Sequence, residues 1–327
     1  MNQGVNWSIE PIYTIRKEKM AAFNPKSKNH YRVRSVSLPT RSHPSTIRIE
    51  QAVNKLKTWE TSSSSFSKAD KICLSLSGLK ELHEGIEELL ALPLTQQALS
   101  QHKQDHMVNE LVEESVRYID VCSNARDTVM QMKEGIKGLQ SSLRRSKLRE
   151  LRTETDVASF MCSRKSLQKE ISRSLAKLKH VDNKMVPLHL SNSEDDQLSI
   201  VLRALTEASL LNISTFSSLL LFLSVPVMKL KPTRWTLVSN FIYKGGLACE
   251  GERNNLNELE DVDIALGHLL IDDSCKDDGT ERIESAQRKL EALETILESL
   301  ENGLELLFRH LIRTRVSLLN ILSAGTS

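Results

Sequence analysis

One pattern near the C-terminus constrains this chain more than any other. Ile283, Leu290, Leu297, Leu304, Leu311 and Leu318 recur every seven residues, and Ala286, Leu293, Leu300, Leu307, Thr314 and Ile321 follow each of them by three. Eleven of those twelve positions are apolar. Two seams in this repeat stay on one side only if the backbone is a continuous helix of about 40 residues. Such a helix cannot bury its stripe alone. It pairs with a second copy as a coiled coil, or it packs against other helices of its own chain, and we expect the second because the sequence upstream supplies partners.

The best of these partners carries Leu111, Tyr118, Ala125, Met132 and Leu139 seven apart, with Cys122, Val129, Ile136 and Leu143 four residues after the last four. This spacing predicts a second long helix, starting at Thr95 or Lys103 and ending at Ser146. Shorter apolar series predict further helices. One is capped by Ser45-Thr46 and carries Ile47, Ile49, Val53, Leu56 and Trp59; another runs from Ala69 to Leu92 and is ended by Pro93. A third spans Thr153 to Asp182, and a fourth, nearly all apolar, spans Leu198 to Val225. The stretch from Lys229 to Glu260 offers only short helical candidates, and IDDSCKDDGTE before the heptad reads as an acidic loop. Only 12 Gly and 8 Pro in 327 residues, with 4% aromatics, disfavour turn-dense β architectures. The expected fold is all-α: an elongated antiparallel helical bundle over residues 46–327, preceded by a disordered basic tail over residues 1–45.

From Lys19 to Ile49 that tail holds seven cations and no acidic residue. Its composition resembles an organelle transit peptide, which keeps a chloroplast location open, but Pro25, Pro39 and Pro44 interrupt any amphipathic helix and favour a regulatory tail on a cytoplasmic protein. Within it, Arg34-Ser35-Val36-Ser37-Leu38-Pro39 places an Arg three residues before Ser37 and a Pro two after. This is the arrangement read by 14-3-3 proteins once the serine is phosphorylated, because the phosphate adds about −1.5 to −2 charge for an Arg cluster to grip. Ser193, followed by Glu194-Asp195-Asp196, is a weaker acid-directed kinase site in an exposed loop.

The remaining chemistry is sparse. No P-loop, dinucleotide-binding, zinc-protease, nucleophile-elbow or EF-hand pattern occurs, so no catalytic residue, cofactor or metal site is expected. His102, Asp105, His106 and Glu110 have metal-like spacing on a helix, yet nine His in the chain make that grouping a chance one. A net charge of +2 and the scarcity of aromatics argue against nucleic acid as a partner. The basic run Leu143–Arg149 falls where a helix ends, where cations complement the dipole. Five widely spaced cysteines with no CxxC suit a reducing compartment. Ala208–Met228 has no charge over 21 residues, near the length of a membrane helix. Asn212, Thr215, Pro226 and five Ser dilute its apolarity, so we read it as a buried bundle helix, with membrane association as the alternative.

Several blocks carry a family likeness: MAAFNPKSKNHYRVRSVSLPTRSHPS from Met20, then LSGLKELHEGIEELLALPLTQQAL, IDVCSNARDTVMQMKEGIKGLQSSLRR, VASFMCSRKSLQKEI and IRTRVSLLNIL. Together they resemble the plant BYPASS-like (BPS) family, a plant-specific family built on a domain of unknown function. The resemblance implies a protein of root and shoot development, the founding members restraining a mobile, root-derived signal that arrests growth. It implies no biochemical activity and carries over no catalytic residue. Because members begin as this chain does at Met20, residues 1–19 are expected to be an extension or an alternative start, which the intact mass of the native N-terminus checks.

Overall fold

The structure is a computed structural model and describes residues 43–61, 66–146, 153–182, 196–225, 257–270 and 279–324. These form eight α-helices, with no strand among the described residues: α1 (Pro44–Thr61), α2 (Lys68–Leu90), α3 (Pro93–Gln101), α4 (His106–Ser146), α5 (Thr153–Asp182), α6 (Asp196–Leu223), α7 (Glu258–Leu269) and α8 (Gly279–Ala324). All of them belong to one compact unit, Ser42–Ser327; the other, Met1–Arg41, lies outside the described residues.

The heptad helix is α8, and its seams are satisfied within the chain. Leu290, Leu297, Leu304, Leu293, Leu300 and Leu307 are all buried, on a helix that packs against α2, α4 and α7, each contributing about 1.5–3 kcal/mol relative to an exposed side chain. Beside the seam, cations of α4 face acids of α8 in a ladder: Arg126–Glu305 at 2.6 Å, Lys133–Glu301, Lys137–Glu294 at 3.6 Å and Arg144–Glu291 at 3.7 Å. Numbers rise along α4 as they fall along α8, so the two helices are antiparallel. The 7- and 4-residue steps on α4 keep every cation on the same flank. The cationic end of α4 therefore meets the acids of α8 as well as its own dipole.

α1 lies antiparallel on α2, with Arg48 on Glu84 and Glu88 at one end and Lys55 on Glu81 at the other. Two glycines seven apart allow this approach: a Cβ on Gly78 would stand 2.6 Å from Leu56 Cδ2, and one on Gly85 would stand 2.9 Å from Ile49 Cγ1. α5 packs on α4, and α6 fills the space against α1, α2, α4 and α5.

Three details depart from the sequence reading. Of the two starts expected for the second long helix the later one holds and Thr95 belongs to a separate short helix, because His102 closes α3 and Asp105 opens α4 by accepting from the Met107 N–H at 2.7 Å. Ile47 is exposed rather than turned to the core. An element without a prediction, α7, braces one end of the bundle. Its Asn257–Glu260 capping box starts the helix, while the Asn257 amide donates to the Phe222 carbonyl at the end of α6, 3.0 Å away.

Candidate functional site

Helices carry polar side chains into an apolar core only where partners meet them, and here the partners come from three helices. His83 on α2 is buried, with Nδ1 3.3 Å from Thr314 Oγ1 on α8 and Nε2 3.4 Å from Asn212 Oδ1 on α6. Burial lowers its pKa from 6.5 to about 4, the Asn212 hydrogen bond opposing and the charge of nearby His310 reinforcing the shift. One turn away His310 sits between two α2 carboxylates, Nδ1 2.8 Å from Glu87 and Nε2 3.7 Å from Glu84. Tyr118 on α4 donates to buried Glu114 at 3.4 Å; burial raises its pKa and keeps it a neutral phenol, a bond to Ser209 of α6 opposing.

These contacts bear on α6, whose 27 residues from Gln197 to Leu223, with a mean hydropathy of 1.3, have the length and composition to cross a membrane. Its most apolar window is 61% buried within the bundle, and Ser209 and Asn212 find their partners there. Asn212→Leu leaves His83 without its amide and is expected to cost about 1–3 kcal/mol in urea unfolding. A more apolar α6 that stabilised the protein would contradict this role.

At one end of the bundle Arg164 of α5 and Asp263 of α7 form an ion pair, their side chains only 2% and 1% exposed. Arg164 and Gln168 also donate to the Val225 carbonyl, at 3.4 and 3.0 Å. The pair therefore ties together α5, α7 and the end of α6. Arg164 falls within the apolar series Val157, Phe160, Met161, Leu167 and Ile171. A charge at a core position was the signal available in the sequence.

A shallow open cleft of about 130 Å³ lies between α1, α2 and α6, over Leu56, Trp59, Ile72 and Leu211. Lys55 caps the Trp59 ring at 4.9 Å, and Ser214 donates to Glu60 at 2.5 Å. Among the described residues no His or Cys lines it. Burial pushes the Cys122 thiol up to about 12, so it stays protonated in the core.

Among the described residues no three His, Cys, Asp or Glu side chains gather as a metal requires. His102 and His106 lie on either side of the α3–α4 break; His102 is bonded to Ala98 O at 2.9 Å, and His106 lies 3.7 Å from Glu110. Arg34, Ser35, Ser37, Pro39 and Ser193 lie outside the described residues, as does 226–228 of the uncharged segment.

The architecture defines an all-α bundle protein whose long C-terminal helix buries its heptad seams within its own chain. The profile of the family described as Protein BPS1 matches residues 75–321, so the chain belongs to that family, the BYPASS-like family of plants. The match begins within α2 and ends within α8, leaving α1 outside it. Membership supports a plant developmental regulatory protein, from a family of non-catalytic regulators. Comparisons with curated proteins and with solved structures give no match.

Proposed function

We propose that this protein acts by binding other proteins in plant root and shoot development or signalling, from the cytoplasm, with a tail that docks a 14-3-3 protein when Ser37 is phosphorylated. The sequence Arg34-Ser35-Val36-Ser37-Leu38-Pro39 carries the reading, and family membership supports it. Phosphate on Ser37 supplies acceptor oxygens for charge-assisted bonds to arginines of the partner, and Pro39 turns the chain out of the groove. A phosphorylated peptide over residues 31–42 is expected to bind 14-3-3 about 100-fold or more tightly than the plain peptide. Affinity purification of residues 20–327 from plant tissue is expected to recover 14-3-3 with the native sequence and to lose it with Ser37→Ala. Equal recovery from both would remove the phosphorylation-dependent part of the proposal.

A second reading rests on the membrane-compatible length and hydropathy of α6 and on the acid-free run from Lys19 to Ile49. In it the protein is associated with a membrane or plastid and affects synthesis or transport of a small mobile growth signal. Carbonate extraction that leaves all of the protein in the supernatant would count against its membrane form.

A further inference from the structure

Eleven large apolar side chains are exposed among the described residues, and six of them, Val116, Met130, Leu306, Ile312, Val316 and Leu319, lie on α4 and α8. The placement of Ile312, Val316 and Leu319 follows from the ion-pair ladder. At about 100° per residue, Ile312, Val316 and Leu319 continue the flank of α8 that carries Glu294, Glu301 and Glu305 toward α4. Phe308 stands in the same row, 4.9 Å beneath the Arg126 guanidinium. Opposite, Val112 and Ile119 continue the flank of Arg126 on α4, Val116 stands about 80° farther round toward solvent, and Arg315 crosses the seam to Val112 O and to Ser115 Oγ. The α4–α8 seam is thus closed by ions over its upper part and open and apolar over its lower part.

The two banks of the open part differ in charge. The α8 bank presents Arg309 and Arg313; the α4 bank presents Glu113, Asp120 and Asp127. Arg309 is shared with Glu305 at 2.9 Å and Asp120 with Lys177 of α5 at 3.8 Å, both exposed, whereas Arg313, Glu113 and Asp127 have no ion-pair partner among the described residues.

We propose that this face docks a second copy of the chain, with a two-fold axis along the seam. That symmetry lays the basic α8 bank of each copy over the acidic α4 bank of the other. It also keeps levels aligned. With Arg126 level with Glu305, antiparallel counting puts Arg313 level with Tyr118, so it meets the partner copy's Asp120 within about one helical turn. About 20 residues of two adjacent helices cover ~30 Å by ~20 Å, or about 600 Å² per copy, the lower end of what a stable pair buries. Association is therefore expected in the micromolar range. The heptad seam takes no part, since it is already filled inside each copy.

Sedimentation equilibrium of the full chain from about 1 to about 100 µM tests this, the mass rising from 36.9 kDa toward twice that value. Val316→Glu, at an exposed position, is expected to weaken association about 100-fold with an unchanged circular dichroism spectrum. Arg313→Glu is expected to weaken it about 10-fold, and Asp120→Lys in the same chain to restore it, because the pairing is between copies. A native chain that stays at 36.9 kDa throughout would overturn the proposal and give the face to a partner of another sequence. A Val316→Glu protein that dimerises as well as the native one, or a double variant no better than Arg313→Glu, would overturn it as well.

Discussion

Asp263→Ala is expected to lower the stability of the bundle by about 3–5 kcal/mol, a large part of what holds an ordinary domain folded. The loss comes less from the attraction given up than from the charge left behind. Arg164 is 2% exposed between α5, α6 and α7, over the Phe160 ring at 5.9 Å, and among the described residues it keeps a 3.4 Å bond to Val225 O but no carboxylate to neutralise it. Replacing both residues with apolar ones of similar size, Arg164→Met with Asp263→Leu, is expected to recover most of the loss, since both desolvation costs disappear together. Urea midpoints of the native, single and double variants measure this. A single variant within about 1 kcal/mol of native would show that the guanidinium reaches water and that α7 does not seal this end.

The second large effect is acid sensitivity through His83. Its folded pKa is about 4 against an ordinary 6.5, so between those values the unfolded chain binds a proton that the folded one refuses. Stability from this group is full above about pH 6.5 and is lost as the pH falls to 4, by about 3 kcal/mol at 1.36 kcal/mol per pH unit. Asn212 of α6 and Thr314 of α8 face the ring directly; His310 adds its charge, with Glu84 and Glu87 beyond it. Other carboxylates titrate at the lower end of this range, so the comparison is with His83→Gln, whose profile is expected to be flatter by that amount. Parallel profiles for the two proteins would mean that water reaches the His83 ring.

Where periodicity governs, sequence and structure agree closely. The seams of α8 and α4 and the limits of α5 are as the spacing of Leu297, Ala125 and Ile171 predicts, because a core face repeats whatever surrounds it. Local chemistry was harder to read. The break at His102–Asp105 interrupts a series whose apolar residues continue on both sides, and 12-residue α7 is too short for its period to stand out, though Asn257 and Glu260 mark its start. Least legible is what depends on register between distant segments. Arg164 meets Asp263 across 99 residues and His83 meets Thr314 across 231, and no local pattern in either segment names its partner. The α4–α8 face is of the same kind, since Val116 and Ile312 share it only once the antiparallel offset is known. The tail motif is the opposite case, read entirely from Arg34 to Pro39 and lying outside the described residues.

The closure of α2 and α4 by α8 also sets an order of events during synthesis. Leu76 on α2, which packs on Gly303, and Cys122 on α4, whose thiol reaches the Leu304 carbonyl, are covered only when the helix from residue 279 onward has arrived. At about 5–20 residues per second, roughly 10–50 s separate the emergence of α2 from that of α8. Throughout that interval the nascent chain displays stripes that the finished protein hides, the kind of exposure that favours aggregation. A stop codon anywhere ahead of α8 makes the exposure permanent, and late truncations in this protein should be as damaging as early ones.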